Sequence, residues 1–379
     1  MKITNERNDW HKFLAEHKGK GLSIDDISQM YNERKKNIQT TLKNYSQDWP
    51  AYNEAQTQEK LMFLDILVEL CSYIPIENGR RGAGHPNASL PEMVFSCVSK
   101  VYEQLSSRRV NSDLEIAKKM GYLDRTPHFN TILKYFNDPQ LVPILTNLIQ
   151  LSALPLKDFE TTFAVDASGL SSAFYSRWLD HRFGYSGDKK FKIHDWLKIH
   201  LICGVKSNIV THIIVTDGYR QESPVFPELV RETAKNFRIK EVCADKGYSG
   251  RECVRAAFDV GAFPYIPFKS GSTGRARGYM AWGKLYHYFQ LHKEEFMQHY
   301  HQRSNVESTF SMLKRKFQGK LMLKNEIGQT NEALAKVLCH NITVLIHEAF
   351  EGNAKIRFNE LAHLLPDLHI NSAISQKYP

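Results

Sequence analysis

Apolar residues in the first 75 positions recur at helical intervals with no strand-like alternation, so this stretch is predicted to be helical. Residues 21–45 (GLSIDDISQMYNERKKNIQTTLKNY) offer Ile24, Ile27, Met30 and Tyr31 as one apolar face. Ile38 and Leu42 would form the next. This pattern fits a helix-turn-helix or a plain helical hairpin. In the first reading, Arg34, Lys35 and Lys36 stand at the start of the second helix, where a recognition helix meets DNA. Residues 77–88 are Gly-rich, basic and broken by Pro86, and read as a linker or flexible loop. Ser89 and Glu92 then have capping-box spacing at the start of a helix running to about Leu105.

A second helix-turn-helix candidate covers residues 113–136, with Ala117 and Gly121 in the usual spacing but a longer turn than the motif allows. A helical lead-in that packs on the next domain explains these residues better. From Thr161 the period changes. Residues 161–168, 195–206 and 209–217 are rich in β-branched residues and read as strands, the last two as an antiparallel hairpin. A helix over 224–237, a strand at 241–248, a second helix and a strand at 263–269 follow. The fold class is α/β with a mixed sheet. The expected division is 1–76 helical, 77–88 linker, 89–155 helical lead-in, 156–350 α/β domain and 351–379 C-terminal tail.

Composition narrows the function classes. The 379 residues suffice for two or three domains, and 42% hydrophobic with 24% charged residues is ordinary for a globular protein. A net charge of +9 favours a polyanionic partner, and nucleic acid is the usual one. The six cysteines are scattered, without a C-x-x-C pair, and read as buried reduced thiols. No run of about 18 apolar residues is present, and the charged N-terminus is unlike a signal peptide, so a soluble cytoplasmic protein is expected.

The most informative spacing lies near the end of the α/β region. Tyr300, Arg303, Glu307 and Lys314 fall within an arc of roughly 60° on one helix edge. Val306, Phe310, Leu313 and Phe317 form an adjoining apolar stripe that would seat the helix on a core. A carboxylate flanked by a phenol, a guanidinium and an ammonium suits a site that holds metal and phosphate together. A solvated edge of i,i+4 ion pairs is the bland alternative. Upstream, Asp166 in FAVDASG and Asp245 in VCADKGY each end a predicted strand. Either one alone would pass for a turn residue.

Together these motifs resemble the insertion-sequence DDE transposases of bacteria with the YREK signature, over roughly residues 155–350. The resemblance implies a ribonuclease H-like five-stranded mixed sheet with flanking helices. It implies that Asp166, Asp245 and Glu307 bind two Mg²⁺ ions (Mn²⁺ substituting) for phosphoryl transfer, while Tyr300, Arg303 and Lys314 contact DNA. It further implies cleavage at terminal inverted repeats, joining to target DNA, a homodimer on paired ends, and a nucleoid-associated enzyme. Only 61 residues separate Asp245 from Glu307, too few for the large β-rich insertion of some relatives. Within that gap, GSTGRARG (271–278) lacks the G-K-[ST] of a P-loop and reads as a flexible DNA-facing loop. Trp282, Tyr286 and Phe289 fit core better than base stacking. Two alternatives stay open: a non-catalytic DNA-binding regulator on the same scaffold, and another ribonuclease H-like nuclease such as a resolvase.

Overall fold

The computed structural model describes residues 48–75, 89–171 and 196–365. The first helix-turn-helix candidate, with Arg34, Lys35 and Lys36, lies outside the described residues, as does the predicted linker. The chain divides into two compact units, Met1–Tyr52 and Asn53–Pro379.

The lead-in contains helices α1 (Trp49–Ser72), α2 (Leu90–Glu103), α3 (Asn111–Lys119), α4 (Phe129–Phe136) and α5 (Leu141–Ala153). The predicted capping box forms at α2. The Ser89 backbone N–H donates to Glu92 Oε2 over 2.8 Å, and the Glu92 N–H donates to Ser89 Oγ over 3.4 Å. Glu92 also accepts from the backbone N–H groups of Asp124 and Arg125, fastening the turn between α3 and α4. That turn is too long for a helix-turn-helix. Ala117, Ile132 and Phe136 are buried in the main core, as the packing alternative predicts.

The sheet contains β1 (Thr162–Ser171), β2 (Trp196–Gly204), β3 (Val210–Asp217), β4 (Glu241–Ala244) and β5 (Phe263–Tyr265), in the order β3-β2-β1-β4-β5. β1, β2 and β3 pair antiparallel, whereas β4 and β5 add in parallel. The parallel pairings require crossovers. Helix α6 (Phe226–Ala234) and helix α7 (Arg251–Asp259) supply them. This is the mixed α/β sheet of the ribonuclease H-like class.

Two features fix the hairpin between β2 and β3. Buried Glu160 accepts from Ser207 N–H over 2.6 Å and Ser207 Oγ over 2.8 Å, gathering the turn around one carboxylate. Gly204 is required beside it, because a Cβ there would meet Glu160 at 2.3 Å. The other side of the sheet carries α10 (Ser304–Phe317) and α11 (Glu326–Phe350). Helix α11 is buried on nearly all faces, as a helix through the middle of a core must be. Its Asn341 pairs with both the N–H and the C=O of Val210 on β3, at 2.9 and 2.7 Å.

A smaller core unites Cys243, Tyr265, Phe268, Trp282, Leu285 and Phe296 under α8 (Met280–Leu291) and α9 (Lys293–Tyr300). Trp282 is buried, and Tyr286 and Phe289 pack on that core, in line with their core reading. The 271–278 loop is tied down: Trp282 Nε1 donates to Thr273 O over 2.8 Å, and Arg251 donates to Arg275 O over 2.9 Å. All six cysteines are buried free thiols. Among the described residues no helix is long and apolar enough to cross a membrane.

Candidate active site

β1 outlasts its parallel neighbour. β4 stops at Ala244, opposite Val165, while β1 continues to Ser171 because β2 pairs with it all the way to Trp196. The expected strand end at Asp166 is therefore corrected: Asp166 lies mid-strand, opposite Leu201. Asp245 does leave its strand, and its carboxylate accepts from the Lys246 N–H at the start of a short 3-10 turn, Lys246–Tyr248. The last parallel pair, Val165 with Ala244, is formed by the residues that immediately precede the two aspartates.

The basic edge also differs in detail from a single helix. α9 ends at Tyr300, residues His301–Arg303 tighten into a 3-10 turn, and α10 begins at Ser304. Backbone angles remain right-handed helical throughout the junction, so the four side chains keep to one side. Val306, Phe310, Leu313 and Phe317 are all buried, seating α10 as predicted.

That seating delivers the edge to β1. Arg303 Nη1 donates to Asp166 Oδ2 over 2.8 Å, and its Nη2 donates to Glu307 Oε1. Further along, Lys314 Nζ donates to Ser168 Oγ over 2.7 Å, two residues on from Asp166 and hence on the same strand face. The Tyr300 phenol lies within the fields of Arg303, Asp245 and Asp166. Thus the structure joins Asp166, Arg303 and Glu307 by direct bonds, with Asp245 and Tyr300 beside them and Lys314 one step away.

Electrostatics at this edge follow from burial. Asp166 is held above the usual carboxylate range chiefly by burial, against the opposing pull of the Ala167 N–H and Arg303. Burial also pushes the Tyr300 phenol up, so it is a protonated donor at neutral pH. Burial depresses Arg303, but Asp166 and its other anionic neighbours outweigh it and the guanidinium is stabilised as a cation.

Sequence reading missed a second group of residues at this site. Glu222, in the irregular segment between β3 and α6, forms an ion pair with Lys198 of β2 at 2.7 Å. Its charge raises Asp166, and its Oε2 lies 3.3 Å from where a Cβ on Gly247 would stand. Tyr248 is fully buried, with its hydroxyl unpartnered among the described residues, in the fields of Glu222, Asp166 and Asp245. Glu222 has no periodic context, and its only sequence signal is the Ser-Pro that follows it before a helix.

The oxygen donors suit a hard cation. Asp166 and Glu307 already share one positive charge, that of Arg303, and an oxygen-only set of this kind also fits Mg²⁺ or Mn²⁺. Among the described residues, no three His, Cys, Asp or Glu side chains stand close enough together to hold a metal ion. The guanidinium occupies the space between the two carboxylates instead.

Residues 157–342 match the family model of the transposase DDE domain. The match supports a DDE transposase. All three candidate carboxylates fall inside the matched DDE domain, which begins just before β1 and ends within α11. No curated protein and no solved structure matches the chain.

Proposed function

We propose that this chain is the transposase of a bacterial insertion sequence, cutting element ends and joining them to target DNA with Asp166, Asp245 and Glu307 as its acidic triad. The reading is supported by the pairing of Val165 with Ala244, the residues just before the two aspartates, and by the bond from Arg303 that ties Asp166 to the YREK-type edge. Asp166, Asp245 and Glu307 would hold two divalent cations, Mg²⁺ with Mn²⁺ as substitute. Bound there, the cations would activate a water or 3′-hydroxyl and stabilise the leaving oxygen of an in-line displacement.

The chain's own groups position the DNA. Arg303 has two donor nitrogens engaged by carboxylates, and transfer of this fork to a phosphate opens both carboxylates for metal. Tyr300 donates its phenolic proton to a phosphate oxygen. Lys314 reaches the strand further along α10, and Arg34, Lys35 and Lys36 serve the first helix-turn-helix as DNA contacts. Binding of terminal inverted repeats in pairs calls for a homodimer, in a cytoplasmic, nucleoid-associated setting.

The test is Mg²⁺- or Mn²⁺-dependent cleavage and strand transfer on DNA carrying the element's ends. Asp166→Ala and Glu307→Ala should abolish both while leaving DNA binding, because loss of a metal ligand costs several kcal/mol of barrier. Cleavage at wild-type rate by either variant would reject the triad. Tight metal-independent binding with no nicking would point to a regulator, and cleavage without strand transfer to a resolvase-like nuclease.

A further inference from the structure

A cavity of about 370 Å³ opens between the lead-in helices and the far end of α10, away from the carboxylates. Lys100, Ser107, Arg108, Phe129, Lys320 and Lys336 line it. The one carboxylate in its wall, Glu332, is already committed. It accepts from the N–H groups of Met322 at 2.8 Å and Leu323 at 3.0 Å, and pairs with Lys336 at 3.5 Å. Lys336 in turn donates to the carbonyls of Gln318 and Lys320.

Two cations make no ion pair among the described residues, although the Glu332 charge acts on the first of them, Lys100. Lys100 is only 7% exposed, makes no hydrogen bond among the described residues, and has its ammonium 5.5 Å from the Phe136 ring centre. Arg108 stacks over Phe129 at 4.9 Å and makes no ion pair among the described residues. Ser107, in the same wall, is 5% exposed, and its buried hydroxyl has no hydrogen-bond partner among the described residues. Burying an ammonium and a hydroxyl without acceptors is costly, and an anion with several acceptor oxygens would relieve both.

From this we infer that the cavity is a binding site for a phosphate group, held by Lys100, Arg108 and Ser107. The phosphate could belong to the backbone of bound DNA or to a free phosphate ion. Its position suits the first source. Ser171 at the end of β1 exchanges backbone bonds with Gly319 and Leu321 at 3.0 and 2.8 Å, next to the cavity wall. Five residue steps along the strand take Asp166 to Ser171, roughly 17 Å, or about five base steps of a duplex.

The site shares no residue with the candidate carboxylates. Thermal unfolding of the full chain with inorganic phosphate should show a rise in Tm that K100M removes and R108Q reduces. D166N should keep the rise, so failure of the triad and failure of this site are told apart. In a second arm, duplexes with one methylphosphonate linkage are bound to wild type and to R108Q. If the ligand is a backbone phosphate, one linkage position weakens wild-type binding by about tenfold and has little further effect on R108Q. If no position does so while phosphate still raises Tm, the ligand is free phosphate. A Tm unmoved by phosphate, together with unchanged DNA affinity in R108Q, overturns the proposal. Arg108 is exposed, so R108Q decides the matter even if K100M fails to fold.

Discussion

Arg303 donates to Asp166 over 2.8 Å, so the strand carboxylate and the helix edge are joined before any substrate arrives. The same guanidinium also holds Glu307, and under the proposed function it would compete with a divalent cation for both carboxylates. Arg303→Gln should raise Mn²⁺ affinity in the absence of DNA several-fold, since a charge-assisted bond contributes about 1.5–3 kcal/mol. Cleavage should nevertheless fall, because the phosphate contact proposed for Arg303 would be lost. Mn²⁺ titration followed by electron paramagnetic resonance checks the first half. Unchanged or weaker Mn²⁺ binding would separate Arg303 from the metal.

Glu222 gives a handle on the ionisation of Asp166. Burial is the main cause of the raised Asp166 pKa, and Glu222 adds to it by like charge. Removing that charge in Glu222→Gln lowers the pKa, so Asp166 ionises at lower pH. The acid limb of the cleavage-rate profile should move to lower pH. A limb that stays in place would show that Glu222 and Asp166 are uncoupled.

Lys314 is anchored to Ser168 and projects from the same edge. If it neutralises one DNA phosphate, Lys314→Met should reduce the slope of log K against log salt by about 0.9, with little change of sequence preference. Filter binding or anisotropy from 50 to 200 mM salt measures this directly.

Acid sensitivity of the fold has a definite source. His200, His212 and His340 are each pushed down to about 4, chiefly by burial. Their folded pKa values lie below the unfolded value near 6.5, so the stability they contribute is complete above pH 6.5 and is lost as pH falls towards 4. Each should cost about 1.4 kcal/mol per pH unit across that window. Urea unfolding from pH 7 to pH 5 should show the decline, and His212→Gln should make it shallower.

Period and spacing made much of this architecture readable. The five strands, the capping box at Ser89 and Glu92, and the buried stripe of α10 all follow from local patterns, which act within a few residues. Trp282 could be assigned to a core because its aromatic neighbours recur at helical spacing. The end of β1 could not be read in the same way. Asp166 looks terminal beside Ala-Ser-Gly, yet the strand continues because β2 supplies hydrogen bonds from 25 or more residues downstream. Glu222 was invisible for a related reason. Its role depends on Lys198 and Gly247, which are brought to it only by the closed sheet.

The long helix α11 has a further consequence for how this chain can be cut. Its Cys339 packs its sulfur on the Val98 carbonyl of α2, and its Asn341 donates to Ile149 and Ser152 of α5. Both partners precede residue 157, where the match to the DDE domain begins. A fragment trimmed to the matched residues would expose the inner face of its own last helix, and should aggregate or remain unfolded. The stretch matched by the DDE domain is thus shorter than the unit that shares one core, and a folded fragment should start no later than the Ser89 cap.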